Sequence, residues 1–410
     1  MSSILSALAL LAATAHAAPT PRIIGGDDAG NGEYPFMVTL AYPISAHPDF
    51  DTDADTFFCG GTIIAPRWVL TAGHCISTGS SVDSPTSFSL IVGSTTLDTA
   101  GGSGTRVTVT GIVRHPDYTV DLENDLALLY LATPVSAGDS VNLAGADALT
   151  GLPAGTGLTA IGWGATESAN LSATLQEVVL GFLPLDDCTG YYDNDLVDGM
   201  TCATFLVPET PVDTCSGDSG GPLLRDVSGQ WQQVGITSFG GNTCADSEQP
   251  GVYTDVGYYA GFIADVQAKP DLSTTVSELS REGQNASLRF SVRNNSPAVT
   301  ATGNTLEVSR TTAVILSGAG CTGTGNLACT LPDLAPGAAA SIDIDVELPG
   351  PGTHTITGTA GSGSGDYWAA NDDDARRYTL PGNSGGGGGG AGGAGLLVIL
   401  LLSACRRRSP

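Results

Sequence analysis

The chain is 410 residues long, which is enough for two domains that each bury their own core. Its formal net charge of −27 argues against nucleic acid or an anionic membrane surface as a main partner. Nine cysteines are many for a reducing compartment, so the composition favours an exported protein with disulfide bonds.

The first residues predict an export signal. The apolar stretch ILSALALLAATAHA ends in Ala15-His16-Ala17, the small-x-small pattern of a signal peptidase site. The N-terminal amine is the only positive charge that precedes this stretch, and a buried N-terminal helix is the alternative. We expect signal peptidase to remove residues 1–17.

Short strands separated by turns are predicted for residues 23–268. The runs GTIIAPRWVLTA, RVTVTGIVRH, LQEVVLGFLP and WQQVGITSF are rich in β-branched or aromatic residues and are bounded by turn-forming residues. Only residues 258–268 have the apolar spacing of a helix. Regular short strands over such a length predict β-barrels.

A second strand-rich region, residues 276–380, follows a predicted linker at residues 269–275. The runs ASLRFSVRN and ASIDIDVEL alternate apolar and polar residues with period two. About 100 residues of this pattern suggest a β-sandwich. Cys321 and Cys329 are close in sequence and could close a small loop inside it.

The last 30 residues, 381–410, combine a glycine run, a short apolar stretch and three arginines. Residues 385–405 carry no charge and are roughly long enough to cross a bilayer as a helix. The arginines at 406–408 would stay on the cytoplasmic side and leave the body of the protein outside. A low-complexity linker with an apolar end is the alternative.

The stretch DTCSGDSGGPLL, residues 213–224, crowds a serine between glycines, acids and a cysteine. It is either a glycine-rich surface turn or a tight loop that presents Ser219 as a nucleophile. A serine hydroxyl needs a base, usually a histidine, and a group that orients that base. Of the five histidines, His74 and His115 are the candidates in the same domain.

His74 lies in WVLTAGHC, at the end of a buried-looking strand and among small residues that leave room for a substrate. His115 lies in the turn-like VRHPDY, and either histidine could be structural. The orienting acid should be buried, and Asp125 precedes the apolar strand in ENDLALLYL. An unpaired carboxylate there would be costly, so we expect His74 as its donor, with a strand-end turn as the alternative.

TAGHC, NDLALL and GDSGGPL, in this order, resemble the motifs of the trypsin-like (chymotrypsin-fold) serine proteases. The resemblance covers residues 23–268 and implies an all-β fold, a double β-barrel of chymotrypsin type. It implies that Ser219 is the nucleophile, His74 the general base and then acid, and Asp125 the orienting acid. The backbone N–H groups of Gly217 and Ser219 would form the oxyanion hole. The family needs no cofactor, so none is expected.

The same resemblance assigns the substrate pocket. Asp213 would lie at its floor and favour cleavage after Arg or Lys through a charge-assisted hydrogen bond. Ser238, Gly240 and Gly251 would line its walls, and the two glycines would leave room for a long side chain. One departure is the spacing of Gly240 and Cys244, which are separated by three residues as in chymotrypsin, where trypsin has two.

PRIIGG resembles the activation site of the family. Cleavage after Arg22 would release residues 18–22 as a propeptide and free the α-amino group of Ile23. That ammonium would pair with Asp218 and order the oxyanion loop, whereas an ordinary turn before a strand is the alternative. Because Arg22 matches the specificity inferred from Asp213, we expect cleavage by the enzyme itself or by a similar protease.

The six cysteines of this region allow many connectivities, so only the family resemblance implies which of them pair. The implied pairs are Cys59–Cys75, Cys188–Cys202 and Cys215–Cys244. Cys405 is left over in the tail.

No metal site is expected. The acidic segment DFDTDADT, residues 49–56, begins like a calcium loop. Counted from Asp51, it lacks the glycine at the sixth position and the glutamate at the twelfth. We expect a solvated surface loop that could shape substrate access.

Two further resemblances concern the second half of the chain. LPDLAPGAAASIDIDVEL resembles the immunoglobulin-like domains of bacterial surface proteins, which implies a spacer, a docking module or a secretion signal. The tail resembles the GlyGly-CTERM sorting signals of Gram-negative bacteria. These imply transient anchoring in the inner membrane, cleavage by a rhombosortase-type protease and type II secretion to the cell surface or medium. A permanently anchored periplasmic enzyme is the alternative.

Together these features predict a secreted zymogen of a serine endopeptidase that cuts proteins or peptides after Arg or Lys. The alternative is a catalytically inactive surface binding protein that uses the protease fold as a scaffold. Inactive relatives usually lose a triad residue or the activation site. Here His74, Asp125, Ser219, Ile23 and Asp218 are all present, which favours the enzyme.

Overall fold

The computed structural model describes residues 23–43, 56–97, 104–166, 171–193, 195–208, 211–296, 299–367 and 371–381. The predicted signal peptide and propeptide, and nearly all of the sorting tail and of the acidic segment, lie outside these residues. Two α-helices are present in the described part of the chain, Leu185–Cys188 (α1) and Ala260–Ala268 (α2), and strands dominate the rest. None of the helices in the described ranges is long and apolar enough to cross a membrane.

The first barrel is closed by six strands. In the order in which they pair, these strands are Met37–Ala41 (β2), Phe57–Ala65 (β3), Trp68–Thr71 (β4), Ala127–Leu131 (β9), Thr105–Arg114 (β8) and Ser89–Val92 (β7). Two short strands, Ser77–Thr78 (β5) and Ser81–Val82 (β6), form a separate hairpin. Every residue of β4 and β9 is buried, which explains their continuous apolar sequences, WVLT and ALLYL.

The second barrel is closed by six more strands. They are Gln176–Leu183 (β12), Gly157–Gly162 (β11), Pro222–Val227 (β14), Gln230–Phe239 (β15), Gly251–Asp255 (β16) and Met200–Thr204 (β13), and β13 pairs again with β12. Asp27–Asp28 (β1) and Asn142–Leu143 (β10) add to its outside, on β12 and β15. The predictions of an all-β chain and of barrels in its first part are confirmed.

The last part of the described chain forms two further sheets, which we call the sandwich. One contains Leu272–Glu282 (β17), Asn285–Asn294 (β18), Ala339–Glu347 (β23) and Val314–Gly318 (β20). The other contains Cys321–Thr322 (β21), Leu327–Thr330 (β22), Thr305–Arg310 (β19), Gly352–Gly361 (β24) and Asp373–Leu380 (β25). A single apolar core includes Phe290 and Ile344 of the first sheet and Ile356 of the second, so the two sheets pack face to face.

The connection between the barrels and the sandwich is tied down. β17 begins at Leu272, inside the range 269–275 predicted as a linker, and Leu272 is fully buried. Asp271 is only 4% exposed, and the Tyr367 N–H donates to the Pro270 carbonyl at 3.1 Å. The sandwich is therefore held against the barrels from its first residues onward.

Candidate active site

Two paired strands bring His74 and Asp125 together. β4 ends at Thr71, three residues before His74, and it pairs with β9, which begins at Ala127 just after Asp125. Thr71 and Ala127 are directly opposite each other, so the side chains of His74 and Asp125 emerge at the same end of the barrel. His74 Nδ1 lies 2.8 Å from Asp125 Oδ2, and the His74 backbone N–H donates to Asp125 Oδ1, also at 2.8 Å.

The Asp125 carboxylate is 1% exposed and well supplied with hydrogen-bond donors. Ser238 Oγ donates to Asp125 Oδ2 at 2.5 Å, and Thr254 Oγ1 donates to the Asp125 backbone carbonyl at 2.8 Å. The three contacts to the carboxylate itself, two from His74 and one from Ser238, fix the direction of its oxygens. The anion in turn favours the His74 tautomer that carries its proton on Nδ1, which leaves Nε2 as a proton acceptor.

The contacts of Ser238 and Thr254 with Asp125 were not predicted from the sequence. The family resemblance assigned Ser238 to the pocket wall, and the structure places it there as well as beside the acid. Thr254 lies within β16. No local motif marks either contact, because the partners are far apart along the chain.

Ser219 lies on the loop before β14 and packs against the segments that carry His74. Its backbone carbonyl accepts a hydrogen bond of 2.7 Å from the Gly60 N–H on β3. The next residue, Gly220, is so close to Thr71 that a Cβ would clash with the threonine hydroxyl. Within the described residues no hydrogen bond joins Ser219 Oγ to His74, and such bonds often tighten only when a substrate binds.

The backbone around Gly217 has the features expected of an oxyanion hole. Gly217 adopts φ +100°, and an added Cβ would lie 3.0 Å from Leu171 and 3.2 Å from Phe57, so only glycine fits. The N–H groups of Gly217 and Ser219 donate to no acceptor in the part of the chain that the structure describes. Two unpaired donors on one tight loop can bind an oxygen that gains negative charge.

Asp218 is completely buried beneath this loop. Its Oδ1 accepts from the Gly164 N–H and its Oδ2 from the Cys215 N–H, both at 2.8 Å. Burial raises the pKa of Asp218 to about 7, because two backbone donors compensate only part of the lost hydration. Ile23 is also fully buried and pairs with Thr166, which places it in the same part of the second barrel. Arg22 lies outside the described residues.

A cavity of about 140 Å³ opens beside Ser219. Its lining includes all four residues predicted for the substrate pocket, which are Asp213, Ser238, Gly240 and Gly251. An added Cβ at Gly251 would lie 3.2 Å from Asp213 Oδ1, so a larger residue would crowd the cavity.

Asp213 is 6% exposed, and both of its oxygens are hydrogen-bonded to backbone. Thr214 N–H donates to Oδ1 at 2.8 Å, and Ala245 N–H donates to Oδ2 at 3.0 Å. Burial nevertheless raises the pKa of Asp213 to about 6. The carboxylate is therefore poised to gain from a cation that enters the cavity.

Four disulfide bonds are present among the described residues, and they join the cysteines in the expected pairs. The pairs are Cys59–Cys75, Cys188–Cys202, Cys215–Cys244 and Cys321–Cys329. The first ties β3 to the turn next to His74. The third ties the loop that carries Ser219 to the wall of the cavity.

His115, the other histidine considered as a base, has structural contacts. Its Nδ1 accepts from the Asp117 N–H at 3.2 Å, and its ring packs edge-on against Tyr259 with 5.3 Å between ring centres. Burial lowers the pKa of His115. The structure thus brings His74, and not His115, to Asp125.

One group of side chains among the described residues has the spacing of metal ligands. Ligand atoms of Cys59, His74 and Cys75 lie within 4.8 Å of one another. The two cysteines are bonded to each other and His74 Nδ1 is engaged by Asp125, so the group offers no thiolate to a metal.

Two closed barrels with a histidine–carboxylate pair at the end of one and a serine loop from the other are typical of the chymotrypsin-fold serine endopeptidases, a class of hydrolases. The family model described as Trypsin matches residues 23–263, which include both barrels. The chain therefore belongs to the trypsin family.

Several known proteins are similar to the barrel region. Trypsin-1 of Astacus astacus is 34% identical over 249 residues, which cover 59% of this chain and 98% of that protein. Trypsin of Phaedon cochleariae is 35% identical over 252 residues, which cover 60% of this chain and 88% of that protein. Transmembrane protease serine 9 of Rattus norvegicus is 33% identical over 262 residues, 63% of this chain, and the match spans only 23% of that longer protein.

Proposed function

We propose that the protein is a secreted zymogen of a serine endopeptidase that cleaves peptide bonds after Arg or Lys. The observation that carries this proposal is the 2.8 Å contact between His74 and Asp125, because Asp125 also accepts from Ser238 of the cavity that Ser219 and Asp213 line. Residues 23–268 would be the catalytic domain. Its substrates would be proteins or peptides that place a basic side chain before the cut.

In the proposed mechanism, Ser219 Oγ attacks the carbonyl carbon of the scissile bond while His74 Nε2 takes its proton. The N–H groups of Gly217 and Ser219 stabilise the oxygen that becomes negative. His74 then protonates the leaving amine, which releases the first product and leaves an acyl-enzyme. Water attacks the acyl group with the same help from His74, while Asp125 stabilises the imidazolium form of that histidine throughout.

Specificity would come from Asp213. A guanidinium or ammonium group in the cavity would pair with a carboxylate that has lost most of its hydration, so the charge-assisted hydrogen bonds would be strong. The two backbone donors to Asp213 fix the direction of its oxygens. Gly240 and Gly251 leave the path to it open, as required for a long basic side chain.

Activation would depend on Asp218. In the described part of the chain, this buried carboxyl accepts only backbone hydrogen bonds, from Gly164 and Cys215. Cleavage after Arg22 would supply the Ile23 ammonium as a partner, and the new ion pair would hold the adjacent oxyanion loop in its active form. The nearby burial of Ile23 supports this switch.

Hydrolysis of chromogenic peptides that end in Arg, Lys or Phe tests the proposal. The protein would be processed to begin at Ile23, with Ser219→Ala as the control. We expect cleavage after Arg and Lys that the control abolishes. Preference for Phe would remove the role given to Asp213, and no cleavage by protein with a verified new N-terminus would favour the inactive binding protein.

Export and anchoring are part of the same proposal. The signal peptide, the tail and the supposed rhombosortase site lie outside the described residues, so the proposal rests on sequence. Mass spectrometry of the protein from the medium and from membranes tests it. We expect mature protein that starts at or after residue 18 and has lost the apolar tail, whereas an intact tail on all mature protein would support permanent anchoring.

A further inference from the structure

A cavity of about 1010 Å³ lies where the first barrel meets the sandwich. Tyr367 of the sandwich packs edge-on against Trp68 of β4, with 4.9 Å between ring centres, and tilts against Tyr130 of β9 at 5.2 Å. The Tyr130 hydroxyl also donates to the Asn295 carbonyl at 3.2 Å. Aromatic packing and a hydrogen bond thus fix the junction, and ligand sites occur preferentially at such junctions.

Three cationic side chains line this cavity, namely Arg67, Lys269 and Arg293. Within the described ranges none of them forms an ion pair with a carboxylate. The chain has only 15 Lys and Arg against 42 Asp and Glu, so the convergence of three cations on one cavity is notable in a protein of this composition. Unpaired charges that converge on a cavity favour an anionic ligand.

Arg67 is held in place for such a role. Its Nη1 donates to the carbonyl oxygens of Leu131 and Ala132, at 2.9 and 2.6 Å, and its guanidinium lies 5.9 Å from the centre of the Tyr130 ring. A guanidinium fixed through one nitrogen still presents its other N–H groups in a rigid fork that suits a carboxylate.

One carboxylate, Asp271, is among the residues that line the cavity, and it is already engaged. It is 4% exposed and accepts a hydrogen bond of 2.9 Å from Asn371 Nδ2. Burial raises the pKa of Asp271, and this single carboxyl faces three cations. The cavity therefore keeps a net positive lining in an acidic protein.

Apolar groups make up much of the remaining wall, including Pro66, Val299 and Pro336. A sulfated saccharide would match the cations but bring no apolar side chains, and a small dicarboxylate would fill only part of the volume. We propose that this cavity binds an acidic, partly apolar peptide segment of a protein substrate, away from the bond that is cut. This inference rests on the proposed function and adds a criterion for substrate choice.

The fold links the cavity to the catalytic residues over a short distance. β4 runs from Trp68 at the cavity to Thr71 near His74, and β9 runs back from the Asp125 side to Tyr130. Three steps of a strand cover roughly 10 Å along this buried wall, so the cavity and the catalytic residues lie towards opposite ends of β4 and β9. A substrate that occupies both sites would pass around the outside of the barrel.

Binding can be measured separately from catalysis with a fluorescent peptide in which Asp and Glu alternate with Leu and Phe and which lacks Arg and Lys. Full-length Ser219→Ala protein would be titrated with this peptide by fluorescence polarisation. We expect saturable binding that weakens as salt is added, because the charges are partly exposed. Absence of saturable binding, or binding of a sulfated saccharide in its place, would overturn the proposal.

Single charge reversals locate the site. Arg293→Glu and Lys269→Glu should each weaken peptide binding about tenfold. The matched control is Arg377→Glu, another arginine of the sandwich that does not line the cavity, and it should leave binding within about twofold. If all three reversals weakened peptide binding equally, binding would depend on overall charge and the cavity would not be the binding site.

Activity measurements distinguish a failure of the proposed peptide cavity from a failure of the proposed protease function. In the catalytically intact protein, Arg293→Glu should raise the KM of a substrate in which an acidic segment is linked to an arginine site, and leave a short arginine peptide unaffected. If wild-type protein failed to cleave the short arginine peptide, the proposed protease function would be wrong. The fluorescence titration would still test whether the cavity binds the acidic peptide. If both substrates changed equally, the cavity would have no role in substrate choice.

Discussion

The Ser238 hydroxyl donates a hydrogen bond of 2.5 Å to Asp125 Oδ2, the oxygen that also faces His74 Nδ1. One carboxylate oxygen is thus shared by the histidine and by a residue that lines the cavity beside Ser219. The acid is held from the cavity side as well as from the histidine side, so its orientation does not depend on His74 alone.

Replacement of Ser238 by Ala tests this support. The carboxylate would keep its two bonds to His74 and lose one donor, so we expect kcat to fall about tenfold with little change in fold, since a hydrogen bond to a charged group contributes about 1.4 kcal/mol or more. Steady-state kinetics with an arginine peptide measure the change. Ser291→Ala, on the exposed side of the sandwich, is the control, and an unchanged kcat for Ser238→Ala would contradict the prediction.

Asp125→Asn should have a much larger effect at almost constant shape. The amide NH2 would donate to His74 Nδ1, which favours the His74 tautomer with its proton on Nε2, and the neutral amide would not stabilise an imidazolium. We expect kcat to fall by about 10⁴, as it does for the equivalent substitution in the reference enzymes of this family. Circular dichroism would verify the fold, and near-normal kcat in a folded variant would remove Asp125 from the mechanism.

Asp213 should give the cleavage of basic substrates a pH dependence of its own. Its pKa is raised from 3.8 to about 6, so in the free enzyme the carboxyl is protonated below pH 6 and a substrate cation must displace that proton. The preference for Arg over an uncharged residue should therefore fall as pH drops through 6. The ratio of kcat/KM for the two substrates isolates this effect, because any pH dependence of the shared catalytic steps cancels.

The matched variant for this measurement is Asp213→Ser. It should lose most of the preference for Arg and show a flat ratio between pH 5 and 8. A ratio that still fell below pH 6 in Asp213→Ser would assign the titration to another group.

Asp218 should make the uncleaved chain less stable as pH rises. Its folded pKa of about 7 lies above the unfolded value of 3.8, so the folded state binds more protons between these limits and stability falls from pH 4 to pH 7. Thermal unfolding of uncleaved Ser219→Ala protein, with and without Asp218→Asn, measures the contribution by difference. The asparagine variant should flatten this slope, and an identical slope would contradict the assignment.

In the enzyme cleaved after Arg22, Asp218→Asn should impair activity. Asp218→Asn removes the partner of the Ile23 ammonium, so the processed enzyme should lose most of its activity on arginine peptides. Full activity of processed Asp218→Asn protein would show that the oxyanion loop is ordered by other contacts.

The sequence predicted the strands that have a local repeating pattern and the site residues that lie in short motifs. Alternation in β18 and β23 and the apolar run of β9 indicated the sheets, and three short motifs indicated His74, Asp125 and Ser219. Helix α1 was missed because four residues are too few to show a helical period. Local patterns also cannot show which distant strands meet.

The junction illustrates this limit. Trp68 and Tyr130 fall within the predicted strand runs GTIIAPRWVLTA and ENDLALLYL, and nothing near them in sequence indicates contact with Tyr367. That contact forms only when the complete sandwich packs against the completed barrel. The residues that line the large cavity become neighbours through the same event, so no motif marks them.

The aromatic junction has a consequence for the catalytic part when it is produced alone. A fragment that ends at residue 268 would expose the rings of Trp68 and Tyr130, which are only 6% and 3% accessible in the intact chain. Newly wetted aromatic surface promotes self-association. The sandwich covers this aromatic surface in the intact chain, so we expect a catalytic fragment to self-associate unless these two positions carry polar residues.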